Sequence, residues 1–205
     1  MDFHKKNEKK IQYSGQDWFE QGEQWVYTCV KRQSYFFTAF SVGKWTQKTC
    51  KEMLVQLPKL IQPPTFTDRL EIFSDGNDDY TFTLPEFFKE DCMNYGQLIK
   101  IREKGRVVDK IHRVVYGNPE TKSIETTDVE NFNGILRERL GRLVRKTKCF
   151  GKKKSRLKNT VQLFQFYWNF MKPLHENQTL AIMEGQATKV WTWGNFLHKR
   201  LSYIS

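Results

Sequence analysis

The chain has 205 residues and a formal net charge of +11, and 39% of its residues are hydrophobic. This composition is typical of a folded globular chain with one domain or two small ones, and it excludes disordered and fibrous proteins. The sequence has no apolar run near the roughly 20 residues that cross a bilayer, no signal-peptide core and no Cys-x-x-Cys pair, so we expect a cytoplasmic protein without a membrane partner, disulfide scaffold or zinc finger.

The first predicted elements are a β-hairpin and a helix. Residues 1–16 have no clear period and predict a frayed start or a short edge strand. β-branched and aromatic residues at 24–31 and 34–42, joined by a short polar link, predict two antiparallel strands. Apolar residues recur at threes and fours over 46–61 and predict a helix, which Pro58 should kink or end early.

Short strands and an insertion are predicted next. Residues 70–74 form an apolar run typical of a strand, and 84–90 are expected to form one or two helical turns. We expect 91–110 to be an insertion that contains a small strand at 97–101. A further strand is predicted at 111–116.

Helices are predicted for the last third of the chain. An apolar stripe indicates a helix over 127–147, and aromatic residues indicate another over 158–172, which Pro173 ends. Residues 175–205 are expected to be a helical tail with an amphipathic segment near 189–204. With no repeat or low-complexity linker, residues 1–205 are interpreted as a single α/β domain.

The positive charge is concentrated in one block. Residues 131–160 hold eleven bases and one acid, Glu138, so this block carries +10 of the total of +11. Such a block attracts a polyanion by neutralising phosphates and releasing counterions, although a solvated helix face is the ordinary alternative. The bases are Arg137, Arg139, Arg142, Arg145, Lys146, Lys148, Lys152, Lys153, Lys154, Arg156 and Lys158.

Two acids stand where predicted elements meet. Asp75 follows the strand at 70–74, within a stretch of seven acids and one base over 71–91, and Glu130 opens the helix at 127–147. Carboxylates held by separate elements are the ligands that Mg²⁺ prefers. Both acids have structural alternatives: Asp75-Gly76 is also a tight-turn sequence, and Thr127-x-x-Glu130 matches a capping box.

Several motifs resemble one family of DNA-processing proteins. The sequence FSDG at 73–76 is similar to the strand-Asp-Gly element of the insertion-sequence-one family of DDE transposases. Residues 114–159 are similar to that family's last catalytic segment, in which Glu-x-x-Asn leads into an Arg-rich helix and a Thr-x-x-Phe-x-Lys-Lys stretch. HENQTL at 175–180 and VWTW at 190–193 resemble the family's carboxyl end.

The resemblance implies a ribonuclease-H-like fold, a mixed sheet flanked by helices, with a two-ion Mg²⁺ or Mn²⁺ site. Asp75 would be the second acid of the triad and Glu130 the third, and both would ligate metal. The fold requires three antiparallel strands before its first helix, so the strand with the first acid should lie in or before residues 1–13. Asp2 is the candidate there.

The resemblance also implies a function: metal-dependent DNA cleavage and strand transfer in transposition. The partners would be double-stranded DNA at transposon ends and targets, a second copy of the chain, and a DNA-reading protein from an upstream frame. We expect a nucleoid-associated, amino-terminally truncated member of the family. The alternatives are an inactive remnant that only binds DNA, and a general RNA-binding protein that uses the same basic block.

Overall fold

The computed structural model describes residues 24–144 and 153–202, with side chains as far as Lys199. The strands are β1 (Trp25–Val30), β2 (Phe37–Gly43), β3 (Leu70–Asp75), β4 (Met93–Glu103), β5 (Arg106–Tyr116), β6 (Pro173–His175) and β7 (Gln178–Thr179). The helices are α1 (Gln47–Leu54), α2 (Asp79–Thr83), α3 (Thr127–Arg139), α4 (Lys154–Phe166), α5 (Leu180–Met183) and α6 (Trp193–Ser202). A π-helical turn, Tyr167–Met171, continues α4.

The described strands form three sheets. β1 and β2 are an antiparallel hairpin, β3 pairs with β4 in parallel, and β4 pairs with β5 antiparallel. β6 and β7 form a separate small hairpin. The predicted α/β class is therefore confirmed as a mixed α/β chain whose three-stranded sheet is itself mixed. No helix within 24–144 and 153–202 is long and apolar enough to cross a membrane.

The β1–β2 hairpin is buried on both faces. On one face Phe37 and Val42 pack with Phe132 of α3 and Val161 of α4. On the other face Tyr27 and Ala39 pack with α1 and with the amino end of β4. Burial on both faces explains why these strands are continuous apolar runs without the alternation of a solvated sheet.

The outer edge of β2 is covered by side chains of α4 and of the π-helical turn that continues it. Asn169 accepts a hydrogen bond from the Phe37 amide at 3.0 Å and donates one to the Phe37 carbonyl at 2.9 Å. Gln165 donates to the carbonyls of Phe37 and Thr38, and the Trp168 indole donates to the Tyr35 carbonyl. These bonds satisfy strand groups that would otherwise be unpaired at a buried edge.

The predicted helices exist, but their bounds differ from the prediction. The helix predicted over 46–61 ends early, at Leu54, as expected ahead of Pro58, which lies in a short 3₁₀ turn, Leu57–Lys59. The helix predicted over 127–147 ends at Arg139, because Leu140 is extended and Gly141 begins a 3₁₀ turn. The helix predicted over 158–172 begins earlier, at Lys154. The tail predicted as helical contains the β6–β7 hairpin before α6.

The stretch predicted as an insertion contains the central strand of the larger sheet. β4 begins at Met93 and ends at Glu103, so it is more than twice as long as the strand predicted at 97–101. Gly96 allows this burial, because a Cβ there would lie 2.7 Å from the side chain of Ile124, which is fully buried. α2 was not expected from the sequence, in which 79–83 is a short acidic and aromatic stretch.

Candidate functional site

One large cleft is bordered by β1, β3 and α3. Among the described residues it has a volume of about 1950 Å³. Asp75 from the carboxyl end of β3 lines it, together with Glu130, Asn133 and Arg137 from α3. The three α3 residues are spaced by three and four positions, which places them on one face of the helix. This face is fixed to the hairpin by a hydrogen bond of 2.9 Å between the side chains of Thr28 and Asn133.

Asp75 is held at the point where β3 ends. It is paired in register with Leu98 of β4, and its carboxylate accepts a hydrogen bond of 3.3 Å from the Asn77 amide. Gln97 donates to the Asn77 carbonyl and to the Tyr95 hydroxyl, so the loop after Asp75 is tied to the sheet. The carboxylate is thus oriented by the amide of a loop that is tied to the sheet, while Asp75 itself remains exposed.

The environment of Asp75 disfavours its charged form. Protein atoms around the cleft remove water from the carboxylate and raise the pKa of Asp75 above its usual value, and the nearby charge of Glu130 raises it further. The Asn77 amide and the charge of Lys100 act in the opposite direction without cancelling the increase. The pKa of Asp75 is therefore raised by desolvation first and by a like charge second.

The environment of Glu130 has the opposite effect. Its carboxylate accepts hydrogen bonds from Lys100 Nζ and, at 2.7 Å, from Thr126 Oγ1. Partial burial alone would raise the pKa of Glu130, but these two hydrogen bonds and the charges of Lys100 and Arg102 outweigh it and lower the pKa. The cleft therefore contains two neighbouring acids with opposite pKa shifts: the pKa of Asp75 is raised and the pKa of Glu130 is lowered.

The structural alternatives for the two acids can be compared with this geometry. The turn alternative for Asp75 is present, since its carboxylate accepts the Asn77 amide as turn aspartates do. The capping-box alternative for Glu130 is not observed, since no side chain caps α3 and the partners of Glu130 are a lysine and a threonine hydroxyl. Glu130 therefore has no backbone-capping role in this fold.

The donor set of the cleft fits a hard divalent cation in part. Asp75 and Glu130 offer carboxylate oxygens, the ligands that Mg²⁺ and Mn²⁺ prefer. Within the described ranges, however, no group of three or more His, Cys, Asp or Glu side chains is arranged to hold a metal ion. Asp2, the candidate third acid, lies outside the described residues.

Among the described residues of the basic block, one lines the cleft. Arg137 lies on the same face of α3 as Glu130 and lines the cleft. Arg139 and Lys153 are exposed, and Arg142 and Lys154 are half-buried. The remaining predicted phosphate contacts, Arg145, Lys146, Lys148 and Lys152, lie outside the described residues.

Lys100 is the site residue that sequence reasoning missed. It stands on β4, is 20% exposed, and pairs with Glu130 across the edge of the cleft. Lys100 stands two positions after Leu98 on β4, so the two side chains lie on the same face of the sheet. The prediction of an insertion over 91–110 left Lys100 outside the candidate site.

The other acids of the 71–91 stretch do not converge on Asp75. Asp78 pairs with Arg113 at 3.3 Å, Glu86 pairs with Lys51, and Asp79 accepts a hydrogen bond from the Tyr27 hydroxyl at 3.1 Å. Asp78 was interpreted as a solvated loop acid, and its side chain is exposed. The local excess of acids therefore divides among separate partners.

Comparison with known proteins does not assign this chain to a family. No protein-family model matches it, and no curated protein or solved structure matches it significantly.

Proposed function

We propose that this chain is the ribonuclease-H-like catalytic domain of a DDE transposase of the insertion-sequence-one family, which cleaves DNA and transfers strands with Mg²⁺ or Mn²⁺. One observation carries the proposal. Asp75, at the carboxyl end of a strand, and Glu130, in the first turn of a helix, share one cleft and interact electrostatically. They are 55 positions apart in the chain, so their proximity is a product of the fold.

The strand order gives further support. A hairpin, a helix, a strand that ends in an acid and a later helix that carries a second acid follow each other as the resemblance implies. β3 lies at the edge of the described three-stranded sheet, and β1 borders the same cleft.

Each residue of the cleft has a distinct task in this proposal. Asp75 and Glu130 would hold the metal, and a bound divalent ion would supply stabilisation of the oxygen charges that develop in phosphodiester cleavage. The Asn77 amide orients the Asp75 carboxylate. Lys100 lowers the pKa of Glu130 by donating a hydrogen bond to it, and it would have to leave Glu130 free to bind a cation. Arg137 faces the same cleft and binds a phosphate of the DNA.

The test is a single-turnover cleavage assay on duplex DNA with the element's ends, in Mg²⁺ or Mn²⁺. We expect Asp75→Asn and Glu130→Gln each to reduce cleavage at least about 100-fold, because several kcal/mol of charge stabilisation are lost with the metal. Asp78→Asn is the matched control, since it removes an exposed acid that does not line the cleft. It should cleave like the wild type.

Cleavage that survives both substitutions would contradict the assignment of the two acids. An equal loss in Asp78→Asn would show that general charge, and not this pair, controls the reaction. Binding of DNA without cleavage in the wild-type chain would favour the second candidate, described next.

The second candidate is a transposase remnant that binds DNA without cutting it. The Lys100–Glu130 ion pair favours it, because an ammonium group there already neutralises one of the two carboxylates. Under this alternative the wild type does not cleave in either cation, and Lys100→Gln does not restore cleavage. DNA binding would still weaken steeply with salt.

A further inference from the structure

The β4–β5 hairpin extends beyond the sheet as an arm, which we define as residues 99–111. β3 pairs with β4 only as far as Asp75 opposite Leu98, and β4 then continues for five residues to Glu103. At about 3.3 Å per residue, this extension is about 16 Å long. Every residue from 101 to 111 is exposed, so the arm projects from the end of the sheet at which Asp75 lies.

The base of the arm is fixed to the segment that carries the site. Lys100 pairs with Glu130, and its register partner Lys110 lies 3.8 Å from Glu125, just before α3. His112 faces the same Glu125 at 3.9 Å. Facing residues of an antiparallel pair share one face of the sheet, so this face of the arm points towards the start of α3.

The outer part of the arm carries positive charge without local compensation. The arm holds five bases and two acids. Within the described part of the chain, no carboxylate forms an ion pair with Arg102, Lys104 or Arg106. Arg102 follows Lys100 by two positions on β4 and lowers the pKa of Glu130 by its charge, so it lies within electrostatic range of the site.

The tip of the arm is a two-residue turn, Lys104-Gly105, between the paired residues Glu103 and Arg106. Lys104 and Gly105 both have positive φ, +48° and +81°, as in the two-residue turns that match the twist of a hairpin. A tight turn holds three bases within five consecutive residues close together. It also leaves the tip without a long loop that would lose entropy on binding.

We propose that this arm is a DNA-binding surface that holds the phosphate backbone of the duplex beside the Asp75–Glu130 cleft. The choice of DNA rests on the proposed function, whereas the basic surface itself stands on the contacts given above. Over about 16 Å a duplex carries roughly nine backbone charges, more than the arm's bases can neutralise. The contacts go to phosphates, so they position the duplex and do not read its sequence.

The test measures binding of the full chain to a short labelled duplex by fluorescence anisotropy, in EDTA and over a series of salt concentrations. The arm variant is Arg102→Gln, Lys104→Gln and Arg106→Gln together. The matched control is Lys59→Gln, Lys89→Gln and Lys122→Gln, which removes the same charge from exposed residues outside the arm. Thermal unfolding of both variants checks that they fold, and Arg106→Gln alone replaces the arm variant if it does not.

We expect the arm variant to raise the Kd at least about tenfold and to reduce the salt slope by about 2 to 3, since each lost phosphate contact contributes about 0.9. The single substitution should raise the Kd about two- to threefold, and the control should stay within about twofold of the wild type. Equal weakening by the arm variant and the control, or unchanged binding by the arm variant, would overturn the proposal. A greater loss on duplex RNA than on duplex DNA would overturn the choice of partner.

The binding test and the cleavage test can contradict the two proposals independently of each other. Binding in EDTA does not require the metal, so Asp75→Asn and Glu130→Gln should bind DNA at least as tightly as the wild type. If the arm variant binds DNA more weakly but Asp75→Asn and Glu130→Gln still cleave DNA, the arm is a DNA-binding surface and the proposed catalytic role of the two acids is wrong. If the arm variant binds DNA normally but the two acid variants lose cleavage, the catalytic role of the acids stands and the proposed role of the arm is wrong.

Discussion

The two long hairpins of this chain have the same secondary structure and opposite environments. β1–β2 is covered by helices on both faces, and its free edge is closed by Asn169. β4–β5 starts in the core at Met93 and ends in an arm whose residues 101–111 are all exposed. The first hairpin therefore organises the core, and the second carries charge to the edge of the cleft.

The boundary between the buried and the exposed part of β4 lies next to Asp75 and Glu130. Leu98, the register partner of Asp75, is 1% exposed, whereas two residues further along β4 the side chain of Lys100 pairs with Glu130. Asp75 therefore lies beside the buried part of β4, and Glu130 lies beside its charged part. The opposite pKa shifts of the two acids follow from this position.

The largest expected difference between the hairpins is in stability. Val42 of β2 is 1% exposed and Val108 of β5 is 53% exposed, so the same substitution can be made in both environments. We expect Val42→Ala to reduce the free energy of unfolding by about 2–3 kcal/mol through lost burial and a residual cavity. Val108→Ala should change it by about 0.5 kcal/mol or less.

Urea denaturation of the two variants and the wild type measures this difference. Equal losses would show that the arm is packed against other residues and is not a free surface. That result would also remove the structural basis for its proposed contact with DNA.

A smaller expected effect separates the two acids by pH. Because folding raises the pKa of Asp75, the ionised carboxylate destabilises the fold at neutral pH, and this cost disappears as the pH falls below its unfolded value of about 3.8. Asp75→Asn should therefore stabilise the protein at pH 7 and have little effect in acid. Because folding lowers the pKa of Glu130, Glu130→Gln should do the reverse, destabilising the protein at pH 7 by at most about 1 kcal/mol for a half-exposed ion pair.

Thermal unfolding across the acid range measures both effects. The melting temperature of Asp75→Asn should exceed that of the wild type at pH 7 and approach it near pH 3, which lies below the unfolded pKa of Asp75. A Glu130→Gln protein that is more stable than the wild type at pH 7 would contradict the role assigned to Lys100.

The buried hairpin was predictable because its sequence and its environment agree. Continuous β-branched and aromatic residues at 24–31 and 34–42 gave both strands within a few residues of their ends. The strand at 70–74 and the acid after it were also found, because an apolar run followed by Asp-Gly is a local signal. These elements depend on short-range patterns that a single sequence contains.

The arm and Lys100 were not predictable in the same way. Charged residues over 100–110 look like a solvated loop, and Lys104-Gly105 is a less typical hairpin turn than Asn-Gly or Asp-Gly. The burial of Gly96 and Gln97 depends on Ile124 and Tyr95, which are contacts between distant or alternate positions. The partner of Glu130 could be assigned only once the register of β4 was known.

Mn²⁺ binding to the full chain, followed by electron paramagnetic resonance, tests most directly whether Asp75 and Glu130 act as one site. The variants are Asp75→Asn, Glu130→Gln and the double variant, with Asp78→Asn as the control. We predict that each single substitution weakens Mn²⁺ binding nearly as much as the double substitution, because two ligands of one ion are not independent. Losses that add, or an Asp78→Asn loss as large as that of Asp75→Asn, would contradict a shared metal site in this cleft.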